Sequence, residues 1–582
     1  MRVVVLLSFL ALAVRLVMVQ GLSGGHYAAI GTSEVTTTVS VPAERGGIYD
    51  RNGAVLAVSE PRSTVVADPY LVSHPVGEAA ALAGHLGVAE SSLVTELSRR
   101  TGYVVLATRV AETTAKKIDG LHLPGINLLP ATQRVDPVGT LAAPVIGAVN
   151  GSGAGASGIE YEYDKMLAGH AGKAVLHQTP DAVPLPGGSG GSGAVAGSGL
   201  ELTIDEQLQY VTEQALGAEV VASHAKSGTA IVMDSHTGQV LAMADLVADP
   251  ARNSVAEAPL NNAVAMVYEP GSVFKLVTFS AALTAGLITP QEPFSVPNTM
   301  SIDGWTFHDA ENHPTEQLTA TQILAQSSNI GTIEIANLLG RTRLAQQIAS
   351  LGFGRPSGLR FPGESAGLVN GDAATWSGSA MGATPIGQDD SVTPQQVLDM
   401  VNAVATGGVF VPPSLVRAVV RPDGTLGAAA PPSTRRVFSG AVATTLTTMM
   451  EQVVQDGTAV AAAIPGYTVA GKTGTAQVPD NKHGGYVPGA YMATFAGFAP
   501  AQDPVLSAVV VLEQPTPIFG GTVAAPVFAQ VMGYALHRYG VAPDQGGPGG
   551  SGTAPAPLSG SPVAQGGTAT IAPTAGSSTG RP

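Results

Sequence analysis

A serine followed three residues later by a lysine can act as nucleophile and base when both lie on one turn of a helix, because residues three apart share a helical face. Ser272-Val273-Phe274-Lys275 has this spacing, and Pro270 and Gly271 stand just before an apolar run that continues through Leu283, which marks a helix start. Val273, Phe274, Leu276 and Val277 surround Lys275 with hydrocarbon. Desolvation disfavours an ammonium, so the neutral amine becomes a feasible general base for the Ser272 hydroxyl. Spacing alone decides little: Ser223-His224-Ala225-Lys226 has the same form, and Lys226-Ser227-Gly228 mimics a lysine-hydroxyl-glycine triplet. Both lie in a polar turn with no helix start and are read as structural.

Two further segments supply complementary groups. Ser327-Ser328-Asn329 falls between two helical patterns and presents a hydroxyl and an amide at a turn. Lys472-Thr473-Gly474-Thr475 lies in a strand-like stretch where Gly471 and Gly474 let a ligand approach the backbone. The elements that must position these groups follow from periodicity. Residues 229–234 and 239–244 form a hairpin through Ser235-His236-Thr237-Gly238, with Gly238 left-handed. Residues 491–498 and 505–512 form a second hairpin, and Pro526 is expected to start a helix. Strands at both ends of residues 200–540 thus enclose a helical middle, as in an α/β sandwich whose sheet unites the two chain ends.

The 582 residues, 45% of them hydrophobic, exceed what one core organises. Residues 1–20 are read as a single membrane anchor with an exported remainder, because 3–19 are almost wholly apolar and their one charge, Arg15, can snorkel; a cleaved signal peptide is the alternative. Residues 21–183 mix strand and helix patterns as an α+β domain, 184–199 form a Gly/Ser/Ala linker, 200–540 form the large domain, and 541–582 are a low-complexity tail. A formal charge of -15 without basic runs argues against a nucleic-acid partner. The chain has 0 cysteines, which excludes thiol chemistry, and no cluster has metal-ligand spacing, so no cofactor and no metal are expected. His308 and Asp309 are read as a polar turn, and His483 as a loop residue.

Taken together, Ser272-Val273-Phe274-Lys275, Ser327-Ser328-Asn329 and Lys472-Thr473-Gly474 resemble the signature of penicillin-binding proteins and serine β-lactamases. Arg45-Gly46-Gly47-Ile48-Tyr49-Asp50-Arg51-Asn52-Gly53 and Gly158-Ile159-Glu160-Tyr161 resemble pedestal motifs of the class B, monofunctional members, which β-lactamases lack. Residues 268–278, 327–336 and 469–477 are most similar to the FtsI-type septal peptidoglycan D,D-transpeptidases. The resemblance implies an α/β (α+β) penicillin-binding transpeptidase domain, a central antiparallel sheet flanked by helices, behind a membrane anchor and a dimerisation-type pedestal.

It also implies roles. Ser272 would attack stem peptides ending in D-Ala-D-Ala, Lys275 would take its proton, Ser327 would pass a proton to the leaving amine, and Asn329 would hold Lys275 and the substrate. Lys472 would polarise Ser327, Thr473, Gly474 and Thr475 would bind the substrate carboxylate, and the backbone N–H groups of Ser272 and Thr475 would form an oxyanion hole. β-Lactams would be covalent inhibitors. An FtsW-type glycosyltransferase and other division proteins would be partners at the cell membrane, since no polymerase domain precedes the pedestal. Alternatives are an elongation- or sporulation-type paralogue, a β-lactam-binding sensor or scaffold with little turnover, and a hydrolase. The sequence departs from the family at Asp389, where glycine is usual, and at Asp136, where an aromatic is usual.

Overall fold

The computed structural model describes residues 2–18, 36–177, 190–430, 433–480 and 482–544. Helix α1 (Arg2–Val17) is apolar, and none of its residues is buried. Its 16 residues rise about 24 Å at ~1.5 Å each, against ~30 Å of bilayer hydrocarbon. Among the described residues no helix is long and apolar enough to cross a membrane.

The pedestal begins with β1 (Thr36–Val41), β2 (Ile48–Tyr49) and the long β3 (Val55–Ala67), which pairs antiparallel with both β4 (Val104–Ala111) and β5 (Ile126–Val135). Helices α2 (Pro75–Leu86), α3 (Glu90–Leu97) and α4 (Glu112–Asp119) pack on this sheet around Val65, Leu82, Leu93, Leu97, Val104 and Ile118, a small core of its own. The base of the pedestal belongs instead to the main core, which includes Ile48, Leu56, Val145, Ile159 and Leu167. Buried charge fixes that base. The Arg45 and Arg134 guanidiniums each bind a different oxygen of Glu160, at 2.6 and 2.7 Å, and all three side chains are at most 7% exposed. The resembling motifs around Arg45 and Glu160 are therefore halves of one ion-pair network.

The stretch expected as a linker, 184–199, carries one strand among its described residues and ends on the first residue of another. After β6 (Gly172–His177), β7 (Gly190–Ser192) pairs back onto it, and β8 (Gly199–Leu202) runs parallel to β2 and antiparallel to Val416–Val420. Glycine and serine contribute little side-chain burial, but their backbones pair as well as any, and neighbouring strand edges recruit them.

Behind α5 (Glu206–Ala222), the catalytic-type domain is built on a six-stranded antiparallel sheet. Its strands are β9 (Ser227–Asp234), β10 (Val240–Asp249) and β11 (Ser254–Glu257) from the front of the segment, and β14 (Ala470–Pro479), β15 (Tyr486–Ala499) and β16 (Leu506–Glu513) from the back. β9 pairs with β16 from Ser227↔Glu513 to Asp234↔Leu506, which unites the two chain ends, and β14 is an edge. Gly238 turns the first hairpin at φ 70°.

Between these groups lie α6 (Lys275–Thr284), the β12 (Thr299–Ile302) and β13 (Trp305–His308) hairpin, α7 (Ala320–Gln326), α8 (Asn329–Leu339), α9 (Pro394–Ala405) and α10 (Gly440–Gln455). α7 and α9 start on reciprocal capping boxes, Thr319 with Gln322 and Thr393 with Gln396. The last helix, α11 (Gly520–Arg538), holds Pro526 in its interior rather than at its start. Gly520 and Gly521 begin it earlier, where a Cβ would strike the Thr494 and Thr458 carbonyls, and Phe528 then meets Phe495 edge-on at 4.7 Å. Close packing on the sheet outweighs the one backbone hydrogen bond that proline removes.

Candidate active site

Ser272 lies on a 3₁₀ turn, Gly271–Phe274, that runs directly into α6. The serine is half-buried, whereas Val273, Phe274 and Lys275 are fully enclosed. The turn sits against the edge strand β14. A Cβ on Gly474 would come within 2.7 Å of the Pro270 carbonyl oxygen and 2.8 Å of Val273 Cγ2, so only glycine lets the strand lie this close.

The Lys275 Nζ donates to the Ser327 carbonyl at 2.5 Å, to Asn329 Oδ1 at 2.8 Å and to Ser327 Oγ at 3.3 Å. None of its hydrogen bonds goes to Ser272 Oγ, which stands one helical turn earlier on the same side. From the opposite wall Lys472 Nζ reaches Ser327 Oγ at 2.9 Å. Ser327 is thus a hydroxyl between two amines, held there by a left-handed backbone (φ 62°) that links α7 to α8. A serine pays about 1–2 kcal/mol for that conformation, a strain typical of functional turns.

Both lysines are 0% exposed. Burial pulls Lys275 down to about 7, with the Asp309 carboxylate partly opposing it. Lys472 is lowered well below the ordinary lysine range, first by burial and then by the positive charge of Lys275. Two ammoniums beside one hydroxyl repel each other without solvent to screen them, so the site favours losing a proton.

Of the residues expected to hold a substrate carboxylate, Thr473 is buried with its hydroxyl 2.7 Å from Thr458 Oγ1, and Thr475 is half-buried, its Oγ1 accepting from the Gly520 N–H at 3.3 Å. Thr475 lies on the free edge of the sheet, where alternate backbone N–H groups have no strand partner.

Sequence reasoning passed over Asp309. No side-chain pair joins it to His308, whose ring nitrogen meets the Asp309 carbonyl instead. The Asp309 carboxylate, however, accepts Ser328 Oγ at 2.8 Å and the backbone N–H groups of Asn329 and Ile330. Glu269, beside the nucleophile turn, was also unassigned: burial pushes it up to about 7, while the Tyr486 hydroxyl donates to it at 3.1 Å and the Asp389 N–H at 3.3 Å. Asp389 itself is left-handed at φ 70°, a backbone state that explains why glycine would suit the position. Asp136 sits near Arg134 and Glu160, and burial raises its carboxyl.

Comparison with known proteins agrees with this architecture. Residues 228–533 match the penicillin binding protein transpeptidase domain, and residues 40–185 match the penicillin-binding protein dimerisation domain. The chain is 34% identical to penicillin-binding protein PbpB of Mycolicibacterium smegmatis, over 92% of this chain and 89% of that one. It is 32% identical to peptidoglycan D,D-transpeptidase FtsI of Escherichia coli, over 93% and 91%. Among solved structures, penicillin binding protein 3 of Mycobacterium tuberculosis complexed with aztreonam superposes with a TM-score of 0.69 at 32% identity, over 87% of this chain and 98% of that one. With its α/β transpeptidase fold and dimerisation domain, the chain belongs to the penicillin-binding protein transpeptidases, class B and FtsI-type.

Proposed function

We propose that this protein is a peptidoglycan D,D-transpeptidase of the division septum that works through an ester on Ser272. The carrying observation is the meeting of two fully buried lysines on one hydroxyl, Ser327 Oγ, beside the nucleophile turn. Neutral Lys275 takes the Ser272 proton as Oγ attacks the carbonyl carbon of the penultimate D-Ala. The oxyanion is held by the backbone N–H groups of Ser272 and Thr475, donors commonly worth ~3 kcal/mol each. Collapse breaks the peptide bond, and the proton reaches the departing D-Ala amine through Ser327, which Lys472 polarises. Thr473, Gly474 and Thr475 face the terminal carboxylate, and Asn329 holds Lys275 and a substrate amide. An amine from a neighbouring stem then attacks the ester, Lys275 relays its proton to Ser272, and a cross-link results.

β-Lactams place a strained amide in the same position and leave the ester stranded. The names of the relatives support the reaction and the septal role, and a relative's complex with aztreonam supports β-lactam binding. An anchor over residues 1–20, beginning with the exposed apolar α1, would tether the enzyme to the cell membrane as a single-pass protein with its catalytic domain outside. The anchor, an FtsW-type polymerase and other division proteins complete the proposal. Mass spectrometry after penicillin treatment tests it: a single adduct is expected on the peptide containing Ser272 and none in Ser272→Ala, and an adduct elsewhere overturns the assignment.

A further inference from the structure

The segment between the β12–β13 hairpin and α7 closes over the Ser327-Ser328-Asn329 turn with more polar contacts than a surface loop needs. The His308 carbonyl accepts Asn329 Nδ2 at 2.9 Å, which fixes the amide so that Oδ1 faces Lys275 Nζ at 2.8 Å. A flipped amide would set two donors against an ammonium. Asp309 locks the same residue through its backbone: one carboxylate oxygen accepts the Asn329 and Ile330 N–H groups at the start of α8, and the other accepts Ser328 Oγ. Behind Asp309, His313 Nε2 lies 3.1 Å from Oδ2, with the two side chains only 16% and 10% exposed.

The His313 ring has a further property. Nδ1 is 2.7 Å from the Pro314 carbonyl oxygen and Nε2 faces a carboxylate, so both nitrogens meet acceptors. Only the imidazolium donates twice; either neutral tautomer turns a lone pair toward an oxygen. The contact with Pro314, and then Asp309, raises His313 above the ordinary histidine value. Charged or titratable groups near the pair among the described residues include Glu316, 4.0 Å from Nδ1, and His308 on the same segment, Lys275, which feels Asp309 from α6, and Lys472, which reaches Ser327 from β14.

We propose that Asp309 and His313 form a charge-balanced positioning pair, in which Asp309 orients Asn329 and lends a negative field at Lys275 while His313 determines how much of that field is felt. Asp309 alone would favour the ammonium and so oppose the base. The cation behind it offsets this, which keeps the cap on α8 without sacrificing the free amine. This rests on Lys275 being the base, as proposed above.

The pair predicts opposite effects from its two halves. In Asp309→Asn the cap acceptor survives but the anion is gone, so the rising limb of penicillin acylation against pH moves to lower pH. In His313→Gln the anion stands uncompensated and the limb moves to higher pH, each by about half a pH unit or more. Acylation of the detergent-solubilised full chain by a fluorescent penicillin, followed from about pH 5.5 to about 9.5, reads both. A purely structural role would lower the amplitude in both variants and leave the limb where it is; that result, or shifts in the same direction, overturns the proposal. Should Asp309→Asn fail to fold, an unmoved limb in His313→Gln still overturns it. A wild-type profile without a limb near neutrality would instead refute Lys275 as the base.

Discussion

Replacing Lys275 with arginine keeps a long cation in the helix but removes the possibility of a neutral amine, because a guanidinium does not deprotonate in proteins. The size of the effect follows from burial. With its ordinary value of 10.5 brought down to about 7, roughly half the Lys275 side chains are neutral at pH 7, against about 1 in 3,000 for an unperturbed lysine. Burial therefore raises the population of competent base by about 10³, within the range that a positioned general base contributes. Stopped-flow acylation should show a wild-type rate constant that climbs with pH through about 7 and then levels. In Lys275→Arg it should be about 10³-fold lower at pH 7.5 with no limb. A drop of less than about tenfold in a folded variant, or a wild-type limb near the ordinary lysine value, would refute the claim that enclosure of this amine creates the base.

Three other outcomes test the frame around it. Gly474→Ala puts a Cβ against the Pro270 carbonyl and Val273 and should displace the nucleophile turn; acylation is expected to fall about 10²-fold with the circular dichroism spectrum unchanged. Glu160→Ala strands the Arg45 and Arg134 guanidiniums in the pedestal base and should lower unfolding free energy by about 3–5 kcal/mol in denaturant titrations. Ser327→Ala removes the hydroxyl between the lysines; slower acylation and little change in melting temperature are expected, and a large loss of stability would mark the turn as structural instead.

The parts of the molecule legible in the sequence are those where local order and chemistry coincide. The Ser272 and Lys275 spacing survives because a helical turn fixes it, and the first hairpin was readable from its apolar runs and from Gly238. Asp309 was not, because its partners are Ser328, Asn329 and Ile330, 19 to 21 residues away. Nothing in a short polar run distinguishes a solvated turn from one folded onto a helix start. The strand at Gly190–Ser192 was hidden for the converse reason, since composition reports side chains whereas glycine and serine there pair through the backbone. Pro526 misled because its usual place in a first turn yielded to packing of α11 on the sheet.

A base made by burial must also leave a mark on stability. The unfolded chain keeps the Lys275 proton up to the ordinary 10.5, while the folded chain releases it near 7. Between those values the unfolded state binds more protons, so stability rises with pH there; below about 7 the cost of enclosing the charge is present in full. Lys275→Met lacks this dependence. The difference in unfolding free energy, wild type minus variant, should therefore grow by about 2–3 kcal/mol between pH 7.5 and pH 9.5. Denaturant titrations at the two pH values measure it, with the groups remote from Lys275 common to both proteins. A flat difference would mean that Lys275 keeps its proton in the folded state, and the activation argued from its enclosure would fail together with the stability argument, since one displaced equilibrium underlies both.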